Sequence, residues 1–181
     1  MSGSDQFKRI KGQSNIIFKS RFLSNLSKIE RYEFLQLCHR RNYTKNDFIY
    51  HQGDPGTGMY FIEEGRLQLS TNVEEGEEVT HTIQSPESFG VLSIGYEFRR
   101  FATVRCLTDC TLLGFFKPDF ETLKKRQPHI AVKFMETLAM IAMRQLSTAI
   151  DELKSDSDAK RIIALQFYEY YDNAEQGKSV L

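Results

Sequence analysis

Hydrophobic residues change their spacing twice along the chain. Between residues 28 and 41 they recur at the three- and four-residue intervals of an amphipathic helix. Between residues 48 and 116 they form short β-branched and aromatic segments that Gly, Pro and Asn residues separate. Helical spacing then returns over residues 118–125 and again over residues 128–154. The pattern therefore predicts a mainly β domain with flanking helices.

The central segments are short and regularly interrupted, as is typical of an antiparallel β-roll or jelly roll. Glycines between the segments supply the positive φ angles that tight turns require. Ser24 or Ser27 can cap the leading helix. The predicted strands are Phe48–Tyr50, Met59–Glu63, Arg66–Ser70, Glu78–Gln84, Thr103–Cys106 and Thr111–Phe116.

The helix predicted over residues 128–154 has two apolar sides. The first side follows a seven-residue repeat and contains Met135, Leu138, Ala142, Leu146, Ala149 and Leu153. The second side contains Ile130, Phe134, Ile141 and Ile150. One side can pack on the chain's own β domain while the other packs on a second copy, so we expect a parallel homodimer through this helix. Packing on the chain's own domain alone is the simpler alternative.

Composition excludes several classes of function. The 181 residues carry 24 basic and 24 acidic side chains, so no global charge draws the chain to nucleic acid or to a membrane. No apolar run reaches the length of a membrane span, and the first residues lack a signal-peptide core. Cys38, Cys106 and Cys110 lack metal-ligand spacing, which favours reduced thiols in a cytoplasmic protein. With no metal spacing and no catalytic constellation, an enzyme is not expected.

The first 23 residues are predicted to form an exposed basic arm. Their only acidic residue is Asp5, and their basic residues are Lys8, Arg9, Lys11, Lys19 and Arg21. A charged terminal segment of this kind is usually solvated. Contact with DNA phosphates or with the acidic face of a partner is the alternative.

Residues 89–104 contain the most distinctive chemistry in the chain. Phe89 and Gly90 open a short apolar segment, and Arg100 precedes a β-branched strand. Glycine lets the backbone approach a ligand closely, and amides at the start of a helical turn point their donors at an anion. Arg100 offers a planar, bidentate cation for phosphate or carboxylate. The stretch therefore predicts a pocket for a small anion.

The same arginine has an alternative interpretation as a structural residue. Arg100 can form a salt bridge with Glu87 or Glu97, and Arg99 can face solvent beside it. Such ion pairs are common near a protein surface and carry no ligand.

Taken in order, the motifs resemble the cyclic nucleotide-binding domain of the Crp/Fnr superfamily over about residues 25–170. The family's phosphate cassette reads Phe-Gly-Glu, several apolar residues, then Arg-x-Ala-Thr-Val. Six residues fall at this spacing, namely Phe89, Gly90, Arg100, Ala102, Thr103 and Val104. Flanking matches are His51-Gln52-Gly53-Asp54-Pro55-Gly56, Met59-Tyr60-Phe61-Ile62, Gly65-Arg66 and Leu107-Thr108-Asp109-Cys110.

The resemblance implies a division of the chain into functional segments. Residues 24–127 would form the β-roll with its N-terminal helix, and residues 128–154 would form the dimerisation helix. Residues 155–181 would hold the first helix, over 159–172, of a DNA-binding output domain that the chain does not complete. DNA contact would then need a segment beyond Leu181, so the chain is either a fragment of a longer regulator or a natural stump.

The resemblance also implies a set of ligand-binding residues. On the cassette they are Phe89, Gly90, Val91, Leu92, Arg100, Phe101 and Ala102, and on the long helix, where the family reads the adenine edge, they are Ser147 and Thr148. Val91 stands where the family has a Glu that binds the ribose 2′-hydroxyl, and Phe101 stands where a small residue is usual. Glu97 is a candidate replacement for the ribose acceptor, or else a solvated charge or a partner for Arg99.

On this basis the chain is expected to be the effector-sensing domain of a Crp/Fnr-type transcription regulator. Its ligand would be cAMP or another small phosphate compound, and no further cofactor is expected. One alternative is a degenerate module that binds no nucleotide and serves in dimerisation or protein docking. A third is a regulatory domain for a separate effector protein or a kinase.

Overall fold

Eight antiparallel strands form the centre of the computed structural model, which describes residues 15–72, 78–95 and 99–155. In chain order the strands are β1 (His39–Tyr43), β2 (Phe48–Tyr50), β3 (Gly58–Glu64), β4 (Arg66–Asn72), β5 (Glu78–Gln84), β6 (Ser88–Phe89), β7 (Thr103–Cys106) and β8 (Cys110–Phe116). They make two four-stranded sheets, in the orders β1-β8-β3-β6 and β2-β7-β4-β5. The predicted β-roll is confirmed.

The interior of the roll is an apolar core between the two sheets. Alternate residues of β3, β4 and β8 point into it, since successive side chains of a strand lie on opposite faces. Its buried members are Tyr60, Ile62, Leu67, Ile83, Phe89, Val104, Cys106, Cys110 and Leu112. This core holds the two sheets together and supports the segment between β6 and β7.

A second core lies on the other face of the β1-β8-β3-β6 sheet, where helices cover it. We call it the phenylalanine cluster, and it consists of Phe22, Phe34, Phe61, Phe115 and Phe134, all buried. Neighbouring rings have centroids 4.6 to 5.8 Å apart, as in the Phe34–Phe115 and Phe34–Phe61 pairs. Buried aromatic rings at such distances contribute both area burial and ring–ring attraction.

The leading helix α1 (Lys28–Leu35) begins where the sequence predicts but ends earlier. Ser27 caps it, since the Glu30 amide donates to Ser27 Oγ and the Ser27 amide donates to Glu30 Oε2. The predicted end at residue 41 is wrong, because residues 39–43 form β1 and pair with β8. Sheet pairing thus overrides the helical spacing of these residues, which the sequence pattern alone could not show.

The predicted exposed arm is also wrong for its last part. Residues 15–19 are helical, and Ile16, Phe22 and Leu23 are buried. Phe22 lies with its ring centroid 5.3 Å from that of Phe134, inside the phenylalanine cluster. Residues 1–14 lie outside the described residues. The β domain therefore begins before residue 24, because apolar side chains between the basic ones complete its second core.

The C-terminal helices follow the predicted bounds closely. Helix α2 spans Lys117–Arg126 and helix α3 spans Pro128–Ser155. The chain divides into two compact units, Met1–Leu138 and Ala139–Leu181. In the first unit α3 buries Ile130, Ala131, Phe134 and Leu138. In the second unit its described side chains are exposed or half-buried, and the helix predicted over 159–172 lies outside the described residues.

Candidate functional site

A glycine-initiated turn follows β6 and shapes the predicted site. Gly90 has φ 72°, in the left-handed region, and the 3-10 helix Val91–Ile94 starts directly after it. A Cβ atom at Gly90 would lie 2.5 Å from Arg100 Nη1 and 3.2 Å from the Gly58 carbonyl oxygen. Only glycine therefore allows the turn and the Arg100 side chain to lie this close together.

Arg100 is buried against this turn, with 5% of its surface exposed. Its Nη2 donates to the Gly58 carbonyl at 2.7 Å, and its Nη1 donates to Ser93 Oγ at 2.8 Å and to the Gly90 carbonyl at 3.5 Å. The backbone is fixed as well, because the Arg100 amide donates to the Asp54 carbonyl at 2.8 Å. The guanidinium thus has a defined position between β3 and the 3-10 helix.

The guanidinium lies over an aromatic ring. The Arg100 Cζ atom is 4.1 Å from the centroid of the Tyr50 ring, which is the geometry of a cation–π contact. Tyr50 in turn neighbours Tyr60 and Phe89 in the interior of the roll. Burial raises the pKa of the Tyr50 phenol to about 12, although the nearby Arg100 charge opposes this shift. Tyr50 is therefore neutral at physiological pH.

The positive charge of Arg100 has no counter-ion among the residues that the structure describes. Arg100 forms no ion pair with them, and its buried Nε atom has no hydrogen-bond partner. A buried charge without a counter-ion is unfavourable, because hydrogen bonds and a ring contact replace its lost hydration only in part. An anion beside the guanidinium would supply the missing charge.

The alternative of a structural salt bridge is excluded for Glu87. Glu87 Oε2 instead accepts a hydrogen bond from the Gln84 amide at 2.8 Å. Glu97 lies outside the described residues, so its predicted roles stay predictions. Arg99 is exposed, as the sequence suggests, and its Nη1 donates to the Gly53 carbonyl at 2.8 Å.

The remaining cassette residues surround Arg100 in different environments. Phe89 is buried and stacks on Tyr60, so it supports the site from the interior of the roll. Val91 and Leu92 are half-buried on the 3-10 helix, and Ala102 is half-buried before β7. Phe101 is 71% exposed. Arg99 lines a separate cavity of about 650 Å³ together with Pro55, Gly56, Thr57, Phe116, Lys117 and Pro118.

The two candidates on the long helix lie in the second compact unit. Ser147 and Thr148 are exposed, and Thr148 Oγ1 donates back to the Arg144 carbonyl at 3.1 Å. A hydroxyl bonded to the preceding turn is the ordinary behaviour of Thr in a helix. A role for these residues in ligand binding stays a prediction.

Sequence reasoning missed three groups that contact Arg100. Ser93 stands out as a polar residue within the apolar run Val91–Ile94, and this signal could have identified it. Tyr50 has no such signal, because an aromatic residue is ordinary in a strand. Gly58 acts through its backbone carbonyl, which the residue type does not reveal.

Two features are absent from the described part of the chain. Within residues 15–72, 78–95 and 99–155, no three His, Cys, Asp or Glu side chains are grouped so that they could hold a metal ion. Over the same ranges, no helix combines the length and the apolar character needed to cross a membrane.

Comparison with known proteins places this arrangement in a family. Residues 40–127 match the family model described as "Cyclic nucleotide-binding domain". The chain is 27% identical over 157 residues to cGMP-dependent protein kinase 2 of Homo sapiens, which covers 87% of this chain and 19% of the kinase. It is 30% identical over 129 residues to the cyclic AMP receptor protein of Thermus thermophilus, covering 71% of this chain and 59% of that protein.

A solved structure gives the same result. The crystal structure of Thermus thermophilus catabolite activator protein superposes with a TM-score of 0.67 at 29% identity, over 75% of this chain and 62% of that one. The chain thus spans less than two thirds of each of these three relatives. Domains of this family are typically regulatory rather than catalytic. Residues 40–127 of the chain belong to the cyclic nucleotide-binding domain family, with relatives among Crp/Fnr-type regulators and cGMP-dependent kinases.

Proposed function

We propose that the chain is an effector-sensing domain of a Crp/Fnr-type transcription regulator and that it binds a small anionic ligand at Arg100. One observation carries the proposal: a buried guanidinium without a counter-ion, whose Nε has no acceptor among the described residues. A ligand that brings one negative charge and two acceptor oxygens fits this need. Cyclic nucleotides have such a phosphodiester, and proteins named for cAMP and cGMP are among the relatives.

The signal would leave the site through helix α3, which we propose to pair with the same helix of a second copy. Within residues 139–151, Met140, Met143 and Leu146 are exposed, with Met143 60% exposed. Exposed apolar side chains at helical spacing suit a helix–helix interface. A ligand that binds one arrangement of the dimer better would shift the population toward that arrangement.

Calorimetric titration with cAMP, cGMP and inorganic phosphate tests the binding site. We expect Arg100→Gln to weaken binding of the ligand by about 30-fold or more, because removing one partner of a buried, hydrogen-bonded charge pair costs at least about 2 kcal/mol. Arg99→Gln is the matched control, since Arg99 is an exposed cation one residue away. It should change the affinity by less than about threefold. Absence of heat with all three compounds, or equal affinity in both variants, would reject the proposal.

Val91→Glu tests whether the ligand carries a ribose. The new carboxylate would restore an acceptor for the 2′-hydroxyl, and a charge-assisted hydrogen bond is worth about 1.5–3 kcal/mol. Binding of cAMP should then tighten by about one to two decades. Val91→Leu, which adds volume without an acceptor, should give no gain. An unchanged affinity in Val91→Glu would show that the ligand does not present its ribose at this position.

The alternative function is a degenerate module that dimerises or docks proteins without a nucleotide. The observation in its favour is Val91, which cannot accept the hydrogen bond that the family's Glu makes. This alternative predicts dimers and no ligand response. Sedimentation at micromolar concentration would test the dimer itself, and Leu146→Lys should dissociate it. If the wild type is a monomer, pairing through helix α3 is wrong for both functions.

A further inference from the structure

The Arg100 side chain is oriented by contacts of two different kinds. Its terminal nitrogens donate hydrogen bonds to Gly58 and Ser93, and its Cζ atom lies 4.1 Å from the centroid of the Tyr50 ring. The hydrogen bonds hold the terminal nitrogens, and the ring restrains the guanidinium from a second direction. The Tyr50 ring provides this second contact.

Tyr50 is itself held on several sides. It lies on β2, opposite Val104 of β7, and its ring centroid is 6.0 Å from that of Phe89 and 6.4 Å from that of Tyr60. Tyr60 and Phe89 are stacked on each other with centroids 5.3 Å apart. A ring with aromatic neighbours on its inner side cannot move away freely, so it offers a rigid surface to the guanidinium.

One donor of the cation is left without an acceptor among the described residues. A guanidinium has five N–H donors, and the structure gives Arg100 three acceptors, none of them for Nε–H. Because the Tyr50 ring lies against the guanidinium, a ligand cannot stack at that position. We expect a compact oxyanion to bind in the plane of the guanidinium, where the N–H donors point.

We infer that Tyr50 is a positioning residue for Arg100, which holds the guanidinium in place to receive an oxyanion. This inference rests on the proposed function for its ligand, although the alignment itself is a property of the protein without a ligand. Tyr50 does not need to touch the ligand. Its aromatic ring, rather than its hydroxyl group, carries the role.

Two substitutions separate the ring from the hydroxyl group. Tyr50→Phe keeps the ring face and should leave the affinity for cAMP within about twofold of wild type. Tyr50→Leu keeps an apolar side chain but removes the ring, and we expect it to weaken cAMP binding by about 2- to 30-fold, the range of a cation–π contact. Tyr50→Met replaces Tyr50→Leu if the latter does not fold, as judged by thermal unfolding.

The second measurement needs no ligand. In nitrogen-15 spectra of the arginine side chains, the Nε–H proton of Arg100 should be shifted upfield by the Tyr50 ring and assigned by its loss in Arg100→Gln. The shift should persist in Tyr50→Phe and disappear in Tyr50→Leu. If the wild type binds neither cAMP nor inorganic phosphate, the proposed function fails, and this signal still tests whether the Tyr50 ring lies against the guanidinium. An Nε–H signal unchanged in Tyr50→Leu, or equal loss in the Phe and Leu variants, would overturn the inference.

Discussion

The phenylalanine cluster and the Arg100 site are buried to nearly the same degree, yet their energetics differ. Phe34 at the centre of the cluster is 0% exposed, and Arg100 is 5% exposed. Every group in the cluster is apolar, so burial and packing satisfy it completely. At Arg100 burial removes water from a charge, and the described residues supply hydrogen bonds but no counter-ion and no acceptor for Nε. The cluster therefore stabilises the fold, while the site holds a buried charge that has no counter-ion among the described residues.

The largest expected effect is a loss of free energy of unfolding when the phenylalanine cluster is disrupted. Phe34→Ala removes a ring that contacts Phe61, Phe115 and Phe134. Large-to-small substitutions of buried Phe cost about 3–5 kcal/mol, because they combine lost burial with a cavity. Urea unfolding should show this loss in the free energy of unfolding.

Phe18→Ala is the matched control for that substitution. Phe18 is 59% exposed, so the change should cost less than about 0.5 kcal/mol. The folded fraction of Phe34→Ala should bind the Arg100 ligand with unchanged affinity. A loss of affinity equal to that of Arg100→Gln would show that the two regions are not separate.

A smaller effect is expected near the site, where two glycines share a left-handed backbone conformation but differ in their surroundings. Gly90 and Gly53 have φ of 72° and 87°. A side chain costs about 1–2 kcal/mol in this region, so Gly90→Ala and Gly53→Ala should lose similar stability from the backbone. Only the Gly90 methyl group would meet Arg100 Nη1, at 2.5 Å, whereas nothing lies within 4 Å at Gly53.

Ligand binding should therefore distinguish the two variants. Gly90→Ala must displace the guanidinium, so we expect its affinity to approach that of Arg100→Gln. Gly53→Ala should bind as the wild type does, once its lower stability is taken into account. Calorimetry and thermal unfolding measure the two quantities separately. Equal affinities in both alanine variants would contradict the placement of Arg100 against the turn.

The smallest expected effect concerns Glu30, a charged residue whose carboxylate has hydrogen-bond partners. The pKa of Glu30 is lowered to about 2, mainly by its hydrogen bond from Lys133 Nζ at 2.7 Å and also by the Ser27 amide. Because the folded pKa lies below the usual value, this contribution is complete above about pH 4.5. It is lost as the pH falls toward 2.

Glu30→Gln should accordingly lower the free energy of unfolding by less than about 1 kcal/mol at pH 7. The difference between variant and wild type should shrink as the pH falls from 4.5 toward 2. Urea unfolding at several pH values measures it. A difference that stays constant over this range would mean that the carboxylate charge is not its source.

The sequence predicted the β-roll because its strands are short, β-branched and regularly interrupted. It failed at residues 39–43, where the hydrophobic spacing continues that of α1 although the backbone pairs with β8. It also failed at Ile16 and Phe22, because basic neighbours concealed apolar residues that complete the phenylalanine cluster. In both places a contact with a distant segment determines the structure, and the local hydrophobic spacing does not reveal that contact.

The site was predicted only in part for a related reason. Gly90 and Arg100 are recognisable because their chemistry is uncommon and their spacing resembles a family cassette. The groups that orient Arg100 belong to ordinary residues, namely a strand tyrosine and a backbone carbonyl at Gly58. These groups matter because they lie close to Arg100 in three dimensions, and contacts between distant segments cannot be inferred from one sequence.

The position of Arg100 also links the two sheets. Tyr50 lies on β2 of one sheet and Gly58 lies on β3 of the other, and a single planar group contacts both. An anion that pairs with the Arg100 guanidinium should therefore affect its contacts with Tyr50 and with Gly58 together. Amide hydrogens of β2 and β3, although they belong to different sheets, should consequently change their exchange rates in concert when an anion arrives.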